Sequence, residues 1–136
     1  MVQLWAFVIW CFVRIFKTRP FARFAKRAGL TDGMLCRAVM DAERGLIDAD
    51  LGGGVIKQRI ARPGRGKSGG FRTIILFRVG AQAFFVHGFA KSERANIRAD
   101  ELATFRLLAT ELLGYGDVAI ERAVSAGALS EVLYDG

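Results

Sequence analysis

Ten basic residues crowd into one stretch of the chain. Lys57, Arg59, Arg62, Arg65, Lys67, Arg72, Arg78, Lys91, Arg94 and Arg98 stand between Val55 and Arg98, where Glu93 is the only acid. The whole chain of 136 residues carries a formal charge of +7, and beyond Arg98 two bases face seven acids, so the positive charge is local. Side chains of these types hold phosphate. Arginine stays charged and grips a phosphate through parallel N–H bonds. A lysine crowded by other cations has its pKa lowered, so that a fraction is neutral and can accept a proton. A polyanion partner follows, with nucleic acid first and an acidic protein or anionic membrane next.

The spacing of these residues divides them. From Val55 to Ala61 the chain alternates, with Ile56 and Ile60 to one side and Lys57, Arg59 and Ala61 to the other. Phe71 to Arg78 is apolar on both faces at its centre and reads as a central strand, with Arg72 near its start. Val79-Gly80-Ala81 is a tight turn, and Gln82 to Phe89 returns as the next strand. Lys91 and Arg94 follow that strand and stand where they can close a site around Lys57, Arg59 and Arg72. His87, the single histidine, shares a strand face with Phe85 and Phe89 by alternation. Such a histidine packs in a core or, turned toward the bases, works as an acid or base near neutral pH.

Supporting elements surround this block. Arg14–Thr18 reads as a first strand, and Pro20 opens a helix that stops at Gly29. Thr31-Asp32 opens a second helix, closed by Gly45. The three strands make an antiparallel meander packed on one face by helices. Leu51–Gly54 is a flexible entry to the basic block, and Arg62–Gly70 is a long turn. Asp100–Leu113 is amphipathic, with Leu102, Phe105, Ala109, Leu112 and Leu113 in one stripe. Asp117–Glu131 is a weaker helical segment broken near Gly127. The division is residues 1–13 as an apolar extension, 14–113 as the folded domain, and 114–136 as an acidic, partly helical tail.

Several function classes fall away. Gly66-Lys67-Ser68 resembles the end of a phosphate loop, but a β-rich run follows where that loop needs a helix N-terminus. One histidine and two isolated cysteines, Cys11 and Cys36, do not make a zinc site, and the cysteines read as two thiols in a reducing cytosol. Met1–Val13 is apolar but short of the roughly 20 residues of a membrane span; a membrane-facing anchor, an extra buried strand or helix, and sequence upstream of the true start are the readings, with the last favoured. No metal, cofactor or membrane is expected, and the location expected is cytoplasmic.

The segment GLIDADLGGGVIKQRIARPGRGKSGGFRTIILFR, then AFFVHGFAKSERANI and ELATFRLLA, resembles the RelE-type toxins of bacterial toxin–antitoxin pairs, in their HigB-like branch. RIFKTRPFARFAKRAGL resembles the N-terminus of that branch. The resemblance covers Arg14 to Leu113. It implies an α+β, RelE/ParE-like fold: a small twisted antiparallel sheet, two N-terminal helices against it and a C-terminal helix near its edge. It further implies a toxin that cleaves mRNA in the ribosomal A site, as a metal-independent endoribonuclease inhibiting translation, and that is held inactive by a cognate antitoxin, a small helix-turn-helix protein. A ParE-like inhibitor of DNA gyrase and a non-catalytic nucleic-acid-binding module are the alternatives.

RNA cleavage needs a base for the 2′-hydroxyl, an acid for the 5′-oxygen and positive charge on the phosphorane between them. By resemblance, Lys57, Arg59, Arg72, Lys91 and Arg94 match the basic cluster of these toxins. Lys57 is the expected base, Arg59 and Arg72 the phosphate clamps, and Lys91 or Arg94 the acid or transition-state stabiliser. His87 is a further candidate for proton transfer. Arg62, Arg65, Lys67 and Arg78 are expected to bind RNA phosphate.

Overall fold

A computed structural model describes residues 13–62 and 66–133, with side chains from 69 onward in the second stretch. Met1–Phe12 and residues 63–65 lie outside it, and with them the reading of the apolar extension and of Cys11; the side chains of Arg65 and Lys67 lie outside it too.

β1 (Arg14–Thr18) leads directly into α1 (Arg19–Ala28). Pro20 fits the first turn of α1, where its missing N–H costs nothing. Gly29 ends α1 at φ 74°, a left-handed conformation that a side chain disfavours. Thr31 caps α2 (Asp32–Glu43) by accepting from the Met34 N–H at 3.2 Å. Then come β2 (Ala49–Gly52), β3 (Val55–Arg62), β4 (Gly66–Arg78) and β5 (Gln82–Ala90). α3 (Ala99–Leu112), α4 (Asp117–Ser125) and β6 (Leu129–Glu131) follow.

Among the described residues the strands form one six-stranded sheet in the order β2-β3-β4-β5-β1-β6. The meander is there, but the sheet is mixed, because β1 runs parallel to β5. β6 is antiparallel to β1 and puts the C-terminal segment on the sheet's far edge. Arg14 binds that edge through Glu131, with Nε–Oε2 3.0 Å and Nη2–Oε1 2.9 Å.

Helices cover both faces and not one. Phe21, Ala25, Leu35 and Val39 of α1 and α2 pack on Ile56, Ile60, Phe71, Ile75 and Phe85. Ala109, Leu112 and Ile120 of α3 and α4 pack on Val55, Ile74, Leu76 and Phe84. The apolar centre of β4 therefore serves two cores, as a strand buried on both sides must. The C-terminal helix expected at the sheet edge lies over the second face.

Two glycine-rich stretches depart from their expected form. Leu51–Gly54 is the end of a strand and a hairpin turn, not a flexible entry. Gly53 and Gly54 adopt φ 65° and 84°, the positive values a tight hairpin needs. Arg106 of α3 lies over this turn, and its Nη2 donates to the Leu51 carbonyl. The long turn expected at Arg62–Gly70 is shorter, since β4 already begins at Gly66.

A bulge changes the pattern in β5. Ile74 pairs with His87 while Ile75 pairs with Phe85, so Val86 is an extra residue. Phe85 faces α1, with its ring 5.0 Å from Phe21, whereas His87 and Phe89 stay together on the α3 face. Alternation alone puts all three on one side; the bulge separates Phe85 from the other two.

Candidate nucleic-acid interface

The α3 face of the sheet changes character along β3 to β5. Toward one end it is the apolar second core. Toward the other it carries two transverse rows of functional groups. The first row is Lys57, Ile74 and His87, and the second is Arg59, Arg72 and Phe89. Adjacent strands lie about 4.8 Å apart, so each row spans about 10 Å of backbone. Lys91 continues the line, since its N–H donates to the Gly70 carbonyl at 3.2 Å.

Arg72 is deeply buried, at 6% exposed, while Arg59 opposite it is open. Two cations facing each other across a ladder repel. Asp48, just before β2, offsets this: its carboxylate lies 3.8 Å from Arg59 Nη2 and 3.8 Å from Arg72 Nε. Those contacts are ion pairs too long for good hydrogen bonds. Gln58 fixes this corner from the other face, accepting from the Asp48 N–H at 3.0 Å and donating to the Ala38 and Leu46 carbonyls at 2.9 Å. Asp48 is the site residue that the sequence pattern did not bring forward. Asp48 and Asp50 both precede the basic block, and the sequence alone does not say which of the two turns toward Arg59 and Arg72.

His87 is half-buried between the rings of Phe89 and Phe105, at 5.9 and 5.6 Å between centroids. Burial pushes its pKa below the ordinary 6.5; Glu101 opposes that shift and Arg94 adds to it. The imidazole is therefore neutral at pH 7, suited to accepting a proton. Among the described residues, Arg72 Nη1 and His87 Nε2 are buried side-chain polar atoms with no hydrogen-bond partner. Both belong to this face, in neighbouring rows.

The other basic residues separate. Lys57 is half-buried and Lys91 exposed, and neither side chain has an ion pair among the described residues. Arg94 is paired with Glu101, whose carboxyl is held down to about 2 first by that guanidinium and then by the Arg98 backbone N–H. Arg62 lies over Phe71 on the α1–α2 side, 4.9 Å from its ring centroid, so it is not part of the cluster. Arg78 is exposed at the other end of β4 from Arg72, about 20 Å away at the rise of a strand. Among the described residues there is no group of three or more His, Cys, Asp or Glu side chains placed to hold a metal ion, and no helix long and apolar enough to cross a membrane.

The fold is α+β, with a mixed sheet that carries a cationic, partly unsatisfied patch on one face. The chain matches the RelE family, described as the RelE toxin of the RelE / RelB toxin–antitoxin system, over residues 13–132, and it belongs to that family. Family membership supports a toxin role, with an antitoxin as partner. The matched stretch runs from the residue before β1 to the residue after β6, so it takes in α4 and β6. No curated protein matches the chain.

Proposed function

We propose that this chain is a ribosome-dependent mRNA endoribonuclease, the cytoplasmic toxin of a type II pair whose antitoxin is a small helix-turn-helix protein. The observation that carries the reading is that Arg72 Nη1 and His87 Nε2, both buried and unpartnered, share one face with Lys57 and Arg59. A buried polar atom without a partner costs free energy, and a functional role is one reason for a fold to keep it.

Arg59, open to solvent, and Arg72 beneath it hold the scissile phosphate. His87, kept neutral by burial, takes the proton of the 2′-hydroxyl. That oxygen attacks phosphorus, and the 5′-oxygen leaves as the bond to phosphorus breaks. The products are a 2′,3′-cyclic phosphate and a 5′-hydroxyl end. Lys91, the open cation at the strand exit, supplies the proton to the leaving oxygen. Lys57, across Ile74 from His87, stabilises the phosphorane charge and is the alternative base. Pre-aimed cations of this kind supply the largest part of such catalysis.

Expression in a bacterial host, with translation and replication followed separately, tests the reading. The expected result is rapid translation arrest with cuts inside mRNA codons on the ribosome. Replication arrest with intact mRNA means gyrase inhibition instead, and overturns the proposal.

A further inference from the structure

Arg94 has no fork left for a phosphate. Its Nε donates to the Asn96 carbonyl at 3.0 Å, Nη1 donates to Glu101 Oε2 at 3.3 Å, and Nη2 donates to Glu101 Oε1. Glu101 is itself fixed, since its Oε1 accepts from the Arg98 N–H at 2.8 Å in the capping box of α3. One face of the guanidinium lies over the Phe89 ring, with Cζ 5.2 Å from the centroid. Phe89 is 4% exposed, while the Arg94 side chain is 30% exposed. Arg94 is thus the outer layer of a two-layer stack, and Phe89, the inner layer, stands directly opposite Arg72.

A guanidinium clamped along its edges, with a face left open, is a flat cationic plate. RNA-binding proteins stack unpaired bases on such plates, and a plate already held in place loses little entropy when a base arrives. We propose that Arg94 is a stacking platform for a nucleobase, the base next to the phosphate held by Arg59 and Arg72, and neither a phosphate ligand nor a proton donor. This subsite rests on the mRNA-cleaving reading above. Every base has a π-face, so the platform tolerates all four. A purine covers more of the plate than a pyrimidine, so purines bind better there.

The test uses ribosomes programmed with an mRNA whose A-site codon carries 2-aminopurine at one position in turn. 2′-O-methyl groups prevent cleavage. Co-pelleting reads binding, and loss of 2-aminopurine fluorescence reads stacking. The wild-type chain is expected to bind and to quench at one codon position. Arg94→Lys keeps the charge and loses the plate; it is expected to abolish the quench and weaken binding about five-fold or more, as for loss of one stacked base. Glu101→Gln leaves Arg94 in place but unclamps it, and the quench is expected to fall. An undiminished quench in Arg94→Lys or in Glu101→Gln overturns the platform. Binding of the wild-type chain without a quench at any position overturns the platform alone. Failure of the wild-type chain to bind programmed ribosomes overturns the mRNA-cleaving reading, and the platform with it.

Discussion

Arg59 and Arg72 stand directly opposite each other on β3 and β4, and the same Asp48 carboxylate reaches 3.8 Å toward each. Facing cations repel, and the acid between them offsets that repulsion. Asp48 acts through the arginines and positions them. Asp48→Ala is expected to destabilise the fold by about 1–3 kcal/mol, because the buried Arg72 loses its nearby anion. It is also expected to lower mRNA cleavage by about ten-fold or more, with Asp48→Glu restoring part of it. Urea unfolding and single-turnover cleavage check the two effects. Full activity in Asp48→Ala would remove the residue from the site.

Arg72→Lys keeps the charge at the centre of the row and loses the planar fork. Lysine is a point charge and cannot reproduce a two-pronged grip on phosphate. Cleavage is expected to fall by about 10²–10³, the usual cost of one aimed donor on a developing oxyanion. Binding to programmed ribosomes should fall far less. Equal losses in binding and cleavage would mean that Arg72 holds substrate and transition state alike.

Much of this arrangement is legible in the order of the residues. The alternation of Ile56, Lys57, Arg59 and Ile60 places the bases on one face of β3, and the apolar run Ile74–Phe77 marks β4 as central. The hidden parts depend on distant partners. Asp48 meets Arg59 and Arg72 only because β2 folds back along β3. Parity cannot reveal the bulge at Val86, which sends Phe85 into one core and His87 into the other face. Position after a strand suggests Arg94 as a cationic catalyst, but Glu101 lies seven residues further on, across a turn, and takes up the Nη1–Nη2 fork.

His87 sets an expected pH dependence. Its folded pKa lies below the ordinary 6.5, with burial as the first cause. The unfolded chain therefore binds this proton more readily, and stability falls as pH drops below the unfolded value toward the folded one. His87→Gln should flatten that slope in thermal unfolding measured between pH 7 and 5. A His87 base also predicts that cleavage falls on the acid side, where the imidazole is protonated. If the acid limb persists unchanged in active His87→Gln protein, another group is the base, with Lys57 next.

Gly88 offers a test of the scaffold that leaves the charged groups untouched. It follows His87 directly and faces α1, where a Cβ would come within 2.3 Å of Phe24 Cε2. Phe24 in turn packs edge-on against Phe71 at 5.8 Å between centroids. Gly88→Ala therefore forces the Phe24 ring outward, or strains β5 beside the bulge. Overpacking of this kind costs about 1–3 kcal/mol. Phe24 is only half-buried, so the ring can move, and the low end of that range is expected. Phe24→Ala should be destabilising alone, yet it should relieve most of the added cost of Gly88→Ala, a coupling that a double-mutant cycle measures. Additive losses would show that the strain lies in the β5 backbone, and activity would then fall together with stability, because His87 and Phe89 flank the substituted residue.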